Sequence, residues 1–397
     1  MTTIPRKIRM GMVGGGPGSM IGPIHRAAAN LDGQIELVCG VFSSKADISK
    51  AQGRELFLPD ERCYASFEEM MQREAQLPKG ERMDFVAVVT PNHLHFPVAK
   101  AALENGFHVL SDKPATLNLS EAEALAECVQ KSSLLYGLTH TYAGYPMIKQ
   151  ARDMVREGRL GKVRKVLVEY PQGWLSQAGI EAGSKQAEWR LDPARSGAST
   201  CVGDIGSHAA HLSEYVIGSA ITAICADLGS VVEGRQMDDD AAILLRFQNG
   251  ARGVLIASQI CAGEENNLKI RVYGEHGGLE WNHTDPNTLL LKPLDANPQV
   301  FRAGGPDMTP LAAANCRTPG GHPEGYLEAF ANHYRNFAGQ VRARIEGRAA
   351  TDVELDVPGL SDALRGMRFI ESAVAASASE TKWFLLPELQ LLQENTP

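Results

Sequence analysis

The run KIRMGMV at residues 7–13 passes directly into GGGPGSMIGPIH at residues 14–25, and this junction limits what the chain can fold into. Glycines at a strand-to-helix turn permit tight backbone angles and let main-chain amides close on a pyrophosphate at the start of the helix. Gly14 and Gly16 stand in register with a GxGxxG pattern, but the third glycine, Gly22, follows after five intervening residues instead of two. Taken alone, the segment fits a dinucleotide-binding unit and also a glycine-rich connector in an unrelated α/β protein.

Beyond the turn, the pattern predicts repeated βαβ units on a parallel sheet. Short apolar runs at Ile8–Val13, Ile35–Phe42, Phe85–Thr90 and His108–Ser111 alternate with helical patterns at Pro23–Asn30, Ala46–Leu56, Ser66–Gln72 and Pro97–Asn105. Ser120 with Glu123 reads as a capping box opening a helix through Lys131, and Tyr136–Leu138 as a further strand. Past residue 140 the pattern changes. A helix at Pro146–Glu157 precedes β-rich runs at Val163–Tyr170, Ile221–Leu228, Ala241–Phe247, Arg252–Ile260, Leu268–Tyr273 and Thr288–Leu291, which predict an antiparallel or mixed sheet in a second domain. Gly325–Ile345 and Gly359–Ser379 read as long helices.

A chain of 397 residues, at about 150 per domain, accommodates two or three domains. Hydrophobic residues at 44% and charged residues at 22% are those of a globular protein, and a net charge of −8 argues against nucleic acid or an anionic membrane as the main partner. The seven cysteines are scattered, odd in number and without a CxxC pair, so reduced thiols are expected. With no signal-like apolar run at the N-terminus, this predicts a cytoplasmic protein.

Three segments lie where ligands bind in such sheets, at the carboxyl ends of strands. The second strand ends in Phe42, Ser43, Ser44, Lys45, where an NAD-type domain usually carries an acid for the adenosine ribose. Two hydroxyls and a cation suit a 2′-phosphate better than a diol, so NADP is favoured over NAD; the same residues also fit an ordinary helix cap. TPNHLH at residues 90–95 follows the third strand, and VLSDKPAT at residues 109–116 runs through the fourth.

With WRLDP at 189–193, GDIGSHAAH at 203–211 and the closing ALRGMRFIESAVAAS at 363–377, these motifs closely resemble the Gfo/Idh/MocA oxidoreductase family, named for glucose-fructose oxidoreductase and inositol dehydrogenase. The resemblance implies an α/β protein with an N-terminal Rossmann dinucleotide-binding domain over residues 1–140. It also implies a C-terminal α+β domain over 141–397, with a large mostly antiparallel sheet for substrate binding and oligomerisation. The cofactor positions it implies are Gly14, Gly16, Gly22, Ser43, Ser44, Lys45, Thr90, Pro91, Asn92, His95 and Lys113. The family's EKP lysine and DxGxH acid and histidine match Lys113, Asp204 and His208. Such a set suits carbinol oxidation, because the hydroxyl must lose a proton as the C–H loses hydride. On a regular helix Asp204 and His208, four apart, share one face, so the carboxylate can orient the imidazole. Lys113 can polarise the oxygen.

The pattern is not followed throughout. Asp112 replaces the usual Glu before Lys113, His211 stands where an Asp commonly follows the histidine, and Ala143 stands where many members carry an arginine. Tyr142, Gln172, Trp174 and His322 are therefore candidates for the substrate pocket, since YPQGW and GGHPEGY are polar-aromatic loops bordering predicted strands or helices, as sugar binding requires; loop packing accounts for each almost equally well. YPQGW also looks like the corresponding loop of levoglucosan dehydrogenases. His208 and His211, three apart without a third ligand, make a poor zinc site, and no metal is expected. The resulting expectation is an NAD(P)-dependent dehydrogenase or reductase acting on a secondary hydroxyl of a sugar, sugar derivative or cyclitol, assembled as a homodimer or homotetramer. The alternatives are an NAD-dependent glycosidase with transient oxidation and a non-catalytic NADP-sensing regulator of the same fold.

Overall fold

The computed structural model describes residues 6–180 and 183–389, which divide into two units. The first holds the residues up to Thr139 and takes back Phe330–Leu364; the second holds His140–Ala329 and Arg365–Leu389.

In the first unit, β1 (Ile8–Gly14), β2 (Ile35–Val41), β3 (Phe85–Val89), β4 (His108–Ser111) and β5 (Tyr136–Leu138) form a parallel sheet in the order β2-β1-β3-β4-β5. Every residue of β3 is buried, as a strand covered on both faces requires. The chain leaves β1 to one side for β2 and reaches β3 on the other, so the strand order reverses between β1 and β3. A crevice opens at the carboxyl ends of strands at such a point. The glycine turn after β1 and Thr90–Asn92 after β3 both lie there.

Phe330, Tyr334, Phe337 and Val341 form one buried stripe, spaced by three or four along the helix Tyr326–Glu346. The Phe337 ring meets Phe85 edge-on at 5.5 Å between centroids. Gly137 on β5 makes room for it, since a Cβ there would sit 2.9 Å from Phe337. Burial of one such ring contributes about 1.5–3 kcal/mol.

One helix start differs from the sequence reading. The helix Leu119–Ser132 is capped by Asn118, whose side chain accepts from Glu121 N at 2.9 Å, while the Glu121 carboxylate accepts from Leu117 N at 3.0 Å. Ser120 lies inside the helix and donates to Asn118 Oδ1. Asparagine caps as well as serine does, and the Ser120–Glu123 pair is a coincidence of spacing.

The second unit is built on β6 (Lys165–Pro171), β7 (Ile221–Gly229), β8 (Asp240–Phe247), β9 (Arg252–Ser258), β10 (Lys269–Tyr273), β11 (Gly277–Asn282), β12 (Thr288–Pro293), β13 (Gln299–Arg302) and β14 (Phe384–Leu385). Among the described residues they form a nine-stranded sheet in the order β13-β12-β11-β10-β6-β9-β8-β7-β14. Pairing is antiparallel except between β6 and β9, which run parallel. Alternate residues of β8 (Ala241, Ile243, Leu245, Phe247) are buried, and helices Pro146–Arg156 and Ser207–Ile217 pack on strands of this sheet. On the opposite face, Leu244 of β8 and Ile256 of β9 remain 44% and 43% exposed. Among the described residues no helix is long and apolar enough to cross a membrane.

Candidate active site

In the first unit the glycine turn is defined by backbone crowding. Gly14 has φ +90°, and a Cβ on it would lie 2.2 Å from Val89 O; a Cβ on Gly16 would lie 1.9 Å from Phe42 O. One on Gly22 would lie 2.3 Å from Gly15 O, so this late glycine seats the helix Ile21–Leu31 against the turn. The ends of β1, β2 and β3 therefore approach with no room for side chains, leaving a cradle of main chain that fits the pyrophosphate of a dinucleotide.

Around this turn, Ser43 is half-buried and its Oγ accepts from Lys45 N at 3.2 Å, while Ser44 and Lys45 are exposed. Lys45 stands at the N-cap of the helix Ala46–Glu55, and Asp47 is exposed in its first turn. Thr90 and Pro91 are half-buried and Asn92 is buried. His95, the first residue of the helix His95–Glu104, has its ring nitrogens 2.8 Å from Thr90 O and 2.6 Å from Pro114 O. It braces the two loops on either side of the crevice. Lys113 is half-buried in the second of these loops. Its amide donates to Asp112 Oδ1 at 2.8 Å. Burial opposes charge on Asp112, but His25, Lys113 and His95 around it hold its carboxyl well below the usual carboxylate range.

In the second unit the parallel pairing of β6 and β9 brings their carboxyl ends together, Pro171 opposite Ser258. The YPQGW loop thus runs beside Ser258–Gln259, with Gln172 N donating to Ser258 O at 2.7 Å and Leu175 N to Gln259 O at 3.1 Å. Tyr142, Gln172 and Trp174 meet in one network centred on Asn266. Trp174 Nε1 donates to Gln172 Oε1 at 3.0 Å; Asn266 Oδ1 accepts from Gln172 Nε2 at 2.5 Å and from the Tyr170 hydroxyl at 2.6 Å. Asn266 Nδ2 donates to the Tyr142 hydroxyl at 3.2 Å, and the hydroxyls of Tyr142 and Tyr170 bond each other. His283 bonds Asn266 O and the Tyr145 hydroxyl, at 2.7 and 3.0 Å. Burial pushes the Tyr142 phenol up to about 12 and the His283 imidazole down, so both are neutral at physiological pH. His322 lies in an exposed turn, its carbonyl accepting from Thr318 Oγ1 at 2.7 Å.

Asp204 lies in a π-helical turn, Val202–Gly206, that leads into the helix Ser207–Ile217 carrying His208. The wider turn corrects the expectation of regular helical spacing between the two residues; π-bulges of this kind recur at functional sites. Asp238 anchors the turn by accepting from Thr200 N, Val202 N and Ser199 Oγ at 2.8, 3.0 and 2.8 Å. Asp204 Oδ2 accepts from Gln259 Nε2 at 3.0 Å and lies 3.5 Å from Arg190 Nε of the WRLDP segment. The buried His208 ring meets Tyr142 edge-on at 4.8 Å and His140 at 5.5 Å. His140 in turn stacks on His211 at 4.0 Å, with planes 3° apart. His140, Asn266 and His283 carry no periodic or motif signal of their own, whereas Arg190 belongs to WRLDP, Tyr170 opens YPQGW and Gln259 falls in the predicted run Arg252–Ile260. Among the described residues no group of three or more His, Cys, Asp or Glu could hold a metal ion.

These features define an oxidoreductase with a dinucleotide-binding domain of the Rossmann type. Residues 8–140 match the model of the oxidoreductase family with an NAD-binding Rossmann fold, and residues 148–280 match the GFO/IDH/MocA C-terminal domain. An uncharacterized oxidoreductase, YfiI, of Bacillus subtilis is 31% identical over 96% of this chain and 97% of its own. The levoglucosan dehydrogenase of Pseudarthrobacter phenanthrenivorans is 24% identical over 77% of this chain and 80% of its own. Among solved structures, an inositol dehydrogenase homolog from Azotobacter vinelandii, complexed with NADH and myo-inositol, superposes with a TM-score of 0.88 at 33% identity, covering 96% of this chain and 98% of that one. The chain belongs to the Gfo/Idh/MocA oxidoreductase family and is an oxidoreductase acting on CH–OH groups.

Proposed function

We propose that the protein interconverts a secondary alcohol and a ketone on a neutral sugar, sugar derivative or cyclitol, with NADP favoured over NAD. The observation that carries the substrate class is the network centred on Asn266. Its hydroxyls, amides and indole N–H are uncharged donors and acceptors, which match a polyol and offer no counter-ion to a phosphate or carboxylate. Relatives that act on levoglucosan or bind myo-inositol point the same way.

The glycine cradle would hold the pyrophosphate, with Ser43, Ser44 and Lys45 toward the adenosine ribose and Thr90–Asn92 bordering the crevice. When bound, the nicotinamide supplies the two-electron acceptor or donor that the reaction needs. In the oxidative direction His208 takes the hydroxyl proton, Lys113 polarises the oxygen and stabilises negative charge on it, and Asp204 fixes the turn that presents His208. Tyr142 serves as a neutral hydrogen-bonding group and not as a base, because its phenol keeps its proton.

For the assembly we propose a homodimer or a homotetramer built from it. On the face of the nine-stranded sheet that carries Leu244 and Ile256, these apolar side chains stand open to solvent in a single chain beside ion pairs such as Arg271–Glu169 and Lys269–Glu280, and a second copy would cover them. Light scattering at micromolar concentration tests this, and a monomer overturns it.

The function is tested by incubating purified protein with NADP or NAD and a panel of monosaccharides, anhydrosugars, glycosides and inositols while following reduced nicotinamide. Sustained reduction with a neutral polyol is expected. Turnover of a glycoside without net cofactor reduction would instead identify a glycosidase, and cofactor binding without turnover a sensor.

A further inference from the structure

Behind the loop that carries Lys113, the first unit holds a line of buried polar groups. His25 is 1% exposed in the helix Ile21–Leu31, its ring edge-on to Phe330 at 4.6 Å. Its Nδ1 lies 2.7 Å from the Tyr334 hydroxyl, and its Nε2 lies 3.5 Å from Asp112 Oδ2. The other oxygen of Asp112 accepts from Lys113 N at 2.8 Å and from Thr139 Oγ1 at 2.9 Å. Tyr334 is fully buried, and burial and then the charge of Asp112 hold its phenol well above the ordinary value. It therefore keeps its proton and has it to donate to His25 Nδ1; in that arrangement the ring proton sits on Nε2, facing the carboxylate. None of these contacts belongs to a helix or sheet ladder, and a histidine buried at such a place costs more than a leucine would unless its partners matter. The next residue, Arg26, donates to Gly15 O at 2.7 Å, so one helical turn secures both the glycine turn and the loop of Lys113.

We propose that His25, oriented by Tyr334, is a positioning residue for Lys113: it fixes the Asp112 carboxylate, and that carboxylate fixes the main chain from which the lysine reaches. The inference rests on the reading of Lys113 as the residue that polarises the reacting oxygen. The charged and titratable groups around the line are Asp112, Lys113, His95 and Arg26. Asp112 is one methylene shorter than the glutamate usual in the family. The 3.5 Å gap to His25 is long for a hydrogen bond, but it lies well inside the range at which each group feels the other's charge.

Two amides separate positioning from packing. Gln in place of histidine puts an N–H near the position of Nε2, toward Asp112; Asn puts its polar atoms near Nδ1, toward Tyr334. His25→Leu, His25→Gln, His25→Asn and Tyr334→Phe would be assayed with NADP and NAD on whichever of myo-inositol, levoglucosan and D-xylose the protein turns over fastest. Thermal melting would be recorded beside the kinetics. His25→Leu and His25→Asn are expected to lower kcat by roughly tenfold to a hundredfold, the scale of a misplaced reacting group, with cofactor KM within about twofold of the unmodified protein. His25→Gln is expected to restore most of kcat, and Tyr334→Phe to lose less than His25→Leu. Equal kcat for the Gln and Asn variants, or losses that simply follow the melting temperature, would overturn the proposal. Should His25→Leu fail to fold, the Gln and Asn pair still decides. Lys113→Ala is run in parallel: near-full turnover there would remove the reading of Lys113 itself, whereas an inactive Lys113→Ala beside a fully active His25→Leu would remove only the positioning role.

Discussion

Asp204 and Gln259 are joined by a hydrogen bond of 3.0 Å, which ties the π-helical turn before His208 to the end of β9. A hydrogen bond to a charged group contributes about 1.5–3 kcal/mol, enough to set the orientation of a short turn. Asp204→Asn keeps the shape and loses the charge, so kcat should fall about tenfold. His208→Ala removes the proton acceptor itself and should cost a hundredfold or more. Steady-state kinetics at saturating cofactor compares them, and equal losses would contradict the division of roles.

The crowding at Gly16 makes a sharp prediction for cofactor binding. A methyl group there would sit only 1.9 Å from Phe42 O, so Gly16→Ala must displace main chain at the end of β2. Fluorescence titration with NADPH should show affinity lower by about tenfold to a hundredfold, since overpacking costs on the order of 1–3 kcal/mol. Gly80→Ala, with nothing within 4 Å, is the control and should bind normally.

Cofactor choice turns on the Ser43–Lys45 segment. The Ser43 oxygen already accepts from Lys45 N, which leaves its O–H to donate, and the exposed Lys45 ammonium can approach a phosphate. Catalytic efficiency with NADP should exceed that with NAD by about tenfold, and Ser43→Asp should reverse the order by repelling the 2′-phosphate. Higher efficiency with NAD in the unmodified protein would assign both serines to the ribose hydroxyls instead.

His108 predicts a loss of stability in mild acid. Its Nδ1 accepts from Leu135 N at 3.0 Å, and burial, with Arg344 adding to it, pushes the imidazole down to about 4. The neutral ring is the form the fold prefers, so the contribution is complete above the unfolded value near 6.5 and is lost as pH falls from there toward 4. Allowing for partial exposure, it amounts to about 2 kcal/mol. His108→Asn keeps an acceptor and removes the titration, so urea unfolding should show a smaller difference between neutral and mildly acid pH. An unchanged difference would contradict the assignment.

Much of the first unit was legible in the sequence because each of its strands is a short apolar run ended by glycine, proline or a capping residue. The cofactor loops fall at strand ends for the same reason. The helix cap was misplaced because Asn118 and Ser120 offer the same chemistry two residues apart. In the second unit β11 and β13 escaped notice: GGLEWN begins with two glycines that hide its alternation, and QVFR is too short and exposed to show one. Tyr142, Gln172 and Trp174 could be named from their loops, but Asn266, which joins them, lies in a polar stretch with no pattern around it. A network held by side chains from distant strands leaves no periodic trace. The π turn was unreadable as well, since one extra residue per turn changes geometry without changing composition.

Net hydride transfer between a neutral polyol and the nicotinamide is tested most directly by following an isotope. The most rapidly converted member of the sugar and inositol panel would be supplied with deuterium on its carbinol carbons, and the cofactor recovered for mass spectrometry. Reduced cofactor carrying one deuterium, accumulating in step with ketone and suppressed in Lys113→Ala and His208→Ala, is the predicted result. Cofactor that stays oxidised and unlabelled while the substrate is consumed, or that is never reduced by any member of the panel, would contradict it.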